Sequence, residues 1–209
     1  MMIKNSRKIV LASGNPGKIR EIQAILEAHE IVTQADFEVP EADETGTTFV
    51  ENAIIKARNA ARYCNLPAIA DDSGLVVDVL NGAPGVISAR YAGVEASGEE
   101  NLQKLLAELK NFPEQEKVAR FICVIVLLRH VDDPLPIIAQ GVWEGRILSE
   151  PIGENGFGYD PVFWVPEKQC ASAELAPEVK NQLSHRGKAL HQLKKLMSNM
   201  DIGKTAPRK

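Results

Sequence analysis

Three cysteines, no two of them close together, leave this chain without a CxxC pair, so neither a zinc site nor a disulfide framework is built into it. Thiols kept reduced suit the cytoplasm, the expected place of work. A long hydrophobic run is missing too. The most apolar stretch, FICVIVLL at 121–128, is too short to span a bilayer and is bounded by Arg120, Arg129 and His130, so it reads as a buried strand. MMIKNSRKIV at the start has no signal-peptide core, and no membrane partner is expected. Excess basic charge is absent: a net charge of −4 argues against a nucleic-acid partner, because phosphate backbones are held by clustered Lys and Arg. No repeat, low-complexity tract or Pro- or Ser-rich linker divides the chain. It is read as one domain over 1–200, with a disordered tail at 201–209 that has nothing to bury.

What is present is enough apolar residue, 44%, to bury a sizeable core. KIVLAS at 8–13 reads as a strand. Asn15 then offers an N-cap and Pro16 a first helical residue, with Ile19, Ile22, Ile25 and Leu26 at helical spacing behind them. Thr48 and Glu51 form a capping box that opens a helix to about Tyr63, and Ser97 and Glu100 form another. LPAIADDSGLVVDVL at 66–80 reads as an extended buried segment broken at Ser73-Gly74. Strands at 119–130 and 136–148, linked through Asp132, Asp133 and Pro134, make a hairpin. Residues from about 174 to 200 read as helical, interrupted at 184–187. Strands interspersed with helices, plus one hairpin, predict an α/β protein with a mixed central sheet flanked by helices, in two lobes about a cleft.

Four clusters carry chemistry. In LASGNPGKIREI at 11–22, Lys18 lies in the first turn of a helix, the end where a cation is disfavoured unless an anion joins it. Free backbone N–H groups, the helix dipole and a lysine together make a phosphate site, although the spacing is not that of a Walker A loop. An exposed lysine on an ordinary turn is the competing reading. The second cluster is acidic: Glu41, Asp43 and Glu44, then Asp71 and Asp72 between apolar residues. Acidic loops are usually solvated, but carboxylates set into a core segment need a partner, and Mg²⁺ bridging to phosphate is one. Neighbours in an extended segment point opposite ways, so one aspartate is expected to face the site and the other to be satisfied by backbone. The sequence alone leaves open which. The third cluster is GFGYD at 156–160. Only 5% of the chain is aromatic, and Phe157 between two glycines can offer its face to a base. The fourth is SHRGKAL at 184–190, where Ser184 can cap a helix with His185 and Arg186 in its first turn. Lys56, in an Ala- and Ile-rich helix, and Lys180 would each ordinarily be solvated.

Taken in order, LASGNPGKIREI, DETG, TFVENAIIKAR, AIADDSGLVVDVLNGAPGVISARYAG, GFGYDPVF and SHRGKAL closely resemble the inosine triphosphate pyrophosphatase family. Each motif is modest, the ordered set is specific, and it covers the chain to about residue 197. The resemblance implies an elongated α/β fold with a central active-site cleft, usually homodimeric. It implies Mg²⁺-dependent hydrolysis of ITP, dITP and XTP to the monophosphate and pyrophosphate, which clears deaminated purines from the nucleotide pool. By motif, Ser13, Gly14, Asn15, Pro16, Gly17, Lys18 and Lys56 would hold the triphosphate. Glu44 and Asp72 would bind magnesium, Asp72 would accept the proton, and Ser73 would lie beside them. Phe157, Gly158, Tyr159, Asp160, Lys180, His185 and Arg186 would surround the nucleoside. Asp72 is expected to act with magnesium, since a carboxylate of ordinary pKa, about 4, is a feeble base at neutral pH. A pyrophosphatase for modified pyrimidine nucleotides and a nucleotide sensor without turnover are the rivals. A nucleotide panel assayed for pyrophosphate separates them.

Overall fold

A computed structural model describes residues 8–198, and the expected tail at 201–209 lies outside them. Seven strands form a mixed sheet: β1 (Lys8–Leu11), β2 (Glu30–Thr33), β3 (Ala68–Val77), β4 (Val118–Leu128), β5 (Ile137–Ile147), β6 (Phe163–Val165) and β7 (Cys170–Ala171). Their order is β2-β1-β3-β4-β5-β6-β7. β1 runs parallel to β2 and to β3, while β6 is antiparallel to β5 and to β7. The helices are α1 (Pro16–Ile25), α2 (Phe49–Cys64), α3 (Gly98–Leu109), α4 (Pro177–Leu183) and α5 (His185–Ser198). No described helix is long and apolar enough to cross a membrane.

The chain divides into two compact units. The first comprises the chain to Asp72, Val124–Gln140 and the chain from Ala189. Its core is the fully buried Ile9, Val10 and Leu11 of β1, the Ala53, Ala57 and Ala60 face of α2, and the apolar end of β4. The run 124–128 is buried at every position, as in a strand covered on both faces. The second unit is Ser73–Cys123 with Gly141–Lys188. Leu102, Leu105 and Leu109 of α3 pack there with Phe121, Trp143 and Phe163.

The three capping signals mark helix starts. Asn15 accepts from the N–H groups of Gly17 and Lys18, and both Thr48–Glu51 and Ser97–Glu100 close as reciprocal boxes. Two expectations are corrected. β3 is unbroken through Ser73-Gly74. It lies between β1 and β4 in the sheet order, Gly74 is buried, and the N–H of Leu75 donates to Oγ of Ser88; a turn there would have to find other partners for these buried backbone groups. The interruption near 184–187 narrows to Ser184 alone. Its Oγ accepts from the N–H of Gly187, which starts α5 with His185 and Arg186 in the first turn. The short β2 and β7 carry no sequence signal strong enough to have been read.

Candidate functional site

The expected residues form two groups, one in each unit. In the first unit, β1 ends against a loop whose Ser13 is buried, and the Oγ of Ser13 accepts from the N–H of Asn15 at 3.2 Å. Asn15 and Pro16 then start α1, leaving a helix N-terminus with no acidic residue in its first turn. Such an end attracts anions. Nζ of Lys18, in that first turn, donates to Oδ2 of Asp71 at 2.7 Å. Asp71 is therefore matched by a lysine, a partner that the sequence reading, which left one aspartate of the pair to backbone without saying which, did not include. The reason is that Asp71 is only 2% exposed, and an ionised carboxylate at that depth is stabilised by a full positive charge.

Asp72 points the other way along β3, as alternation requires. α2 presents two donors to it. Nζ of Lys56 lies 3.3 Å from Oδ1, and Nδ2 of Asn52 lies 3.3 Å from Oδ2. Lys56 also donates to Oε1 of Glu44 at 2.8 Å. The loop bearing Glu44 is tied to the same helix, since the Glu51 carboxylate accepts from the N–H groups of Thr47 and Thr48, and Oδ1 of Asn52 accepts from the N–H of Gly46. Glu41 and Asp43, from the same acidic stretch, instead line an open cavity with Arg58, Arg62 and Tyr63.

Burial raises the pKa of Asp72; Lys56 opposes the rise and the nearby Glu44 adds to it. Burial alone would lower that of Lys56, but Asp72, Asp71 and Glu44 outweigh it and hold the ammonium charged. Two carboxylates thus converge on one cationic group, a donor set that suits a hard divalent ion as well as an ammonium. Among the described residues no cluster of three or more His, Cys, Asp or Glu side chains could hold a metal. A pair of carboxylates fits Mg²⁺, which commonly takes one or two from protein and completes its shell with substrate phosphate and water.

In the second unit, Phe157 lies between Gly156 and Gly158, both with positive φ, and is 64% exposed. A large aromatic held out on a left-handed turn has no packing reason to be there. Asp160, buried beneath, organises the loop. Its Oδ2 accepts from the N–H of Phe157 at 2.8 Å and from Nζ of Lys180 at 2.6 Å, and its Oδ1 accepts from Oγ of Ser172 at 2.8 Å. Lys180 is thereby held 5.6 Å from the centroid of the Phe157 ring. Tyr159 turns inward, and its hydroxyl donates to the carbonyl of Ser88. Burial, followed by Glu108, pushes the Tyr159 pKa up, so the phenol stays protonated. Tyr159 and Asp160 thus shape the loop from below. Arg186 is buried, and the half-buried His185 stacks on Phe121 with centroids 4.8 Å apart and planes at 14°. Ser73, the residue after Asp72, is half-buried.

Sequence reasoning missed Asn52, Ser172 and Phe121. For Asn52 a signal was available, because it precedes Lys56 by four residues and shares its helical face. Ser172 and Phe121 offered none.

Residues 9–196 match the sequence profile of the Ham1 family. A protein of Vibrio cholerae named dITP/XTP pyrophosphatase is 62% identical over 189 residues, covering 90% of this chain and 94% of its own. One of the same name from Vibrio parahaemolyticus is 64% identical over 189 residues with the same coverage. The solved structure of a HAM1 protein from Coxiella burnetii superposes with a TM-score of 0.88 at 52% identity, covering 92% of this chain and 99% of that one.

Proposed function

The chain belongs to the Ham1 family, and from that premise we propose that it hydrolyses dITP, XTP and ITP to the nucleoside monophosphate and pyrophosphate. The observation that carries this reading is the meeting of Lys56 with Glu44 and Asp72. It is supported by relatives named for dITP and XTP.

Ser13 through Lys18 receive the triphosphate, with the α1 N-terminus and Lys18 facing its charge. Lys56 leaves its carboxylates to neutralise phosphate oxygens, which gain negative charge as the bond to pyrophosphate breaks. Glu44 and Asp72 would hold Mg²⁺, which would supply further positive charge to the departing pyrophosphate. Asp72 accepts a proton from the attacking water, and the anhydride between the α and β phosphates is cut. Phe157 stacks on the purine, Asp160 and Tyr159 brace its loop, and Lys180 and Ser73 contact the nucleotide. His185 and Arg186 donate to the 6-keto oxygen. Adenine presents an amino group there, and a buried donor facing it loses its partner, which discriminates strongly. The same reading makes the enzyme a homodimer, testable by sedimentation. Free thiols at Cys64, Cys123 and Cys170 suit a reducing cytoplasm.

The test is a panel of dITP, XTP, ITP, dATP, dGTP and dTTP with Mg²⁺, assayed separately for pyrophosphate and orthophosphate. Pyrophosphate from the first three is expected. In Asp72→Asn it should vanish while the circular dichroism spectrum stays native. Orthophosphate as the product, or full turnover by Asp72→Asn, would overturn the reading.

A further inference from the structure

Asn52 has no part in the chemistry just described, yet it contacts both arms of the acidic cluster. It is fully buried on α2, one turn before Lys56. Its amide bridges two segments: Oδ1 accepts from the N–H of Gly46 at 2.8 Å, and Nδ2 donates to Oδ2 of Asp72 at 3.3 Å. These partners fix which way the amide faces. Turned over, it would set an NH₂ against an N–H and a carbonyl oxygen against a carboxylate. Gly46 makes the approach possible. A Cβ there would stand 2.6 Å from Cβ of Glu51 and 2.7 Å from Oδ1 of Asn52, so a side chain at 46 would lift the loop off the amide. Two residues earlier in that loop is Glu44, and on the other side of the amide is Asp72.

We propose that Asn52 is a positioning residue for the cation site, holding the Glu44 loop and Asp72 at a fixed separation so that both carboxylates face one ion. The inference rests on the reading of Glu44 and Asp72 as the cation's carboxylates. Lys56 spans the same two carboxylates but moves to phosphate during turnover, so it is not a permanent strut. Asn52 carries no charge, is fully buried and is bonded to both segments. Replacing the amide by an apolar side chain leaves the N–H of Gly46 and Oδ2 of Asp72 each short of a partner, which costs stability whatever the role of Asn52, so stability alone does not separate positioning from support.

The experiment uses the full chain and two variants. Asn52→Leu removes both hydrogen bonds at nearly constant volume. Gly46→Ala keeps the amide and displaces the loop. Mn²⁺ is titrated without nucleotide and free ion is followed by electron paramagnetic resonance; kcat and KM for dITP and the thermal midpoint are measured alongside. Partners that orient metal ligands typically contribute 10–100-fold, so each variant should lose about that factor in Mn²⁺ affinity and in kcat, with KM changed by less than about threefold. If Asn52→Leu does not fold, Gly46→Ala decides alone. A lower midpoint with wild-type Mn²⁺ affinity in the folded protein would show a merely structural role and overturn the inference. Wild-type protein that takes up no Mn²⁺, with or without a non-hydrolysable nucleotide, would remove the premise and the inference with it. Orthophosphate as the wild-type product would defeat the proposed reaction, while the Mn²⁺ titrations would still judge Asn52.

Discussion

Replacing Lys56 with methionine keeps the straight side chain and removes the ammonium that lies 2.8 Å from Glu44 and 3.3 Å from Asp72. Removing one partner of a fully buried ion pair costs about 3–5 kcal/mol, because the remaining charge is left without compensation. Here the side chains are 18%, 25% and 9% exposed, so water recovers part of that loss. About 2–3 kcal/mol is the working figure. For a chain of this size it corresponds to a fall of roughly 4–12 °C in the melting midpoint.

Three measurements separate this account from a plain packing defect. Adding Glu44→Gln to Lys56→Met should restore about 1 kcal/mol or more, because the second change deletes the charge that the first left exposed. Mg²⁺ should raise the melting midpoint of Lys56→Met more than that of the wild type, since the ion replaces the missing charge. Turnover of dITP should fall about 10²–10³-fold, the usual loss when one preorganised positive donor is removed. A Lys56→Met protein as stable as the wild type, indifferent to Glu44→Gln and to Mg²⁺, would refute the electrostatic reasoning.

Phe157→Ala should leave the melting midpoint almost unchanged, because the ring is largely exposed, and should raise KM for dITP about tenfold, as loss of one base–aromatic stack does. Arg186→Ala should erase the preference for dITP over dATP in kcat/KM, and an unchanged ratio would remove Arg186 from base reading. Asp133 closes the β4–β5 turn, accepting from the Arg129 guanidinium and from the N–H groups of Arg129 and Leu135. Burial works against its charge, but these donors outweigh it and hold the pKa at about 2 instead of 3.8. The depressed value means the stabilisation, about 2 kcal/mol, is complete above pH 4 and disappears as pH falls toward 2. Asp133→Asn should lose most of it at pH 7, and denaturant melts of the two proteins should converge near pH 2.

The legible features of this chain were local ones. Asn15-Pro16, Thr48-x-x-Glu51 and Ser97-x-x-Glu100 act within three or four residues, so no knowledge of the fold was needed to read them. The ordered motifs named the family and most of the candidate site for the same reason. Long-range events overrode local signals elsewhere. Ser73-Gly74 has turn chemistry, yet β3 passes straight through it, with Gly74 buried and the N–H of Leu75 taken by Ser88, 13 residues further along the chain. The partner of Asp71 is a lysine 53 residues earlier in the chain, a pairing that no window on the sequence contains. Asn52 looked like one polar residue among alanines, and its meaning depends on Gly46 and Asp72, which reach it from two other segments.

The charges of the first group bear on how the nucleotide is taken. Lys18 and Lys56 supply two ammonium groups, and Asp71, Asp72 and Glu44 supply three carboxylates. The named side chains therefore sum to a single negative charge, and the α1 N-terminus returns about half a positive one. A bare triphosphate gains nothing from such a balance: every lysine it recruits uncovers a carboxylate, and the closest of these is buried. On the proposed reading, one divalent ion held by Glu44 and Asp72 would turn the sum positive and keep both carboxylates covered as Lys56 departs. On this arithmetic Lys56 is held in reserve by carboxylates until an ion replaces it, so nucleotide affinity should depend on divalent cation far more steeply than at a site built from lysines alone.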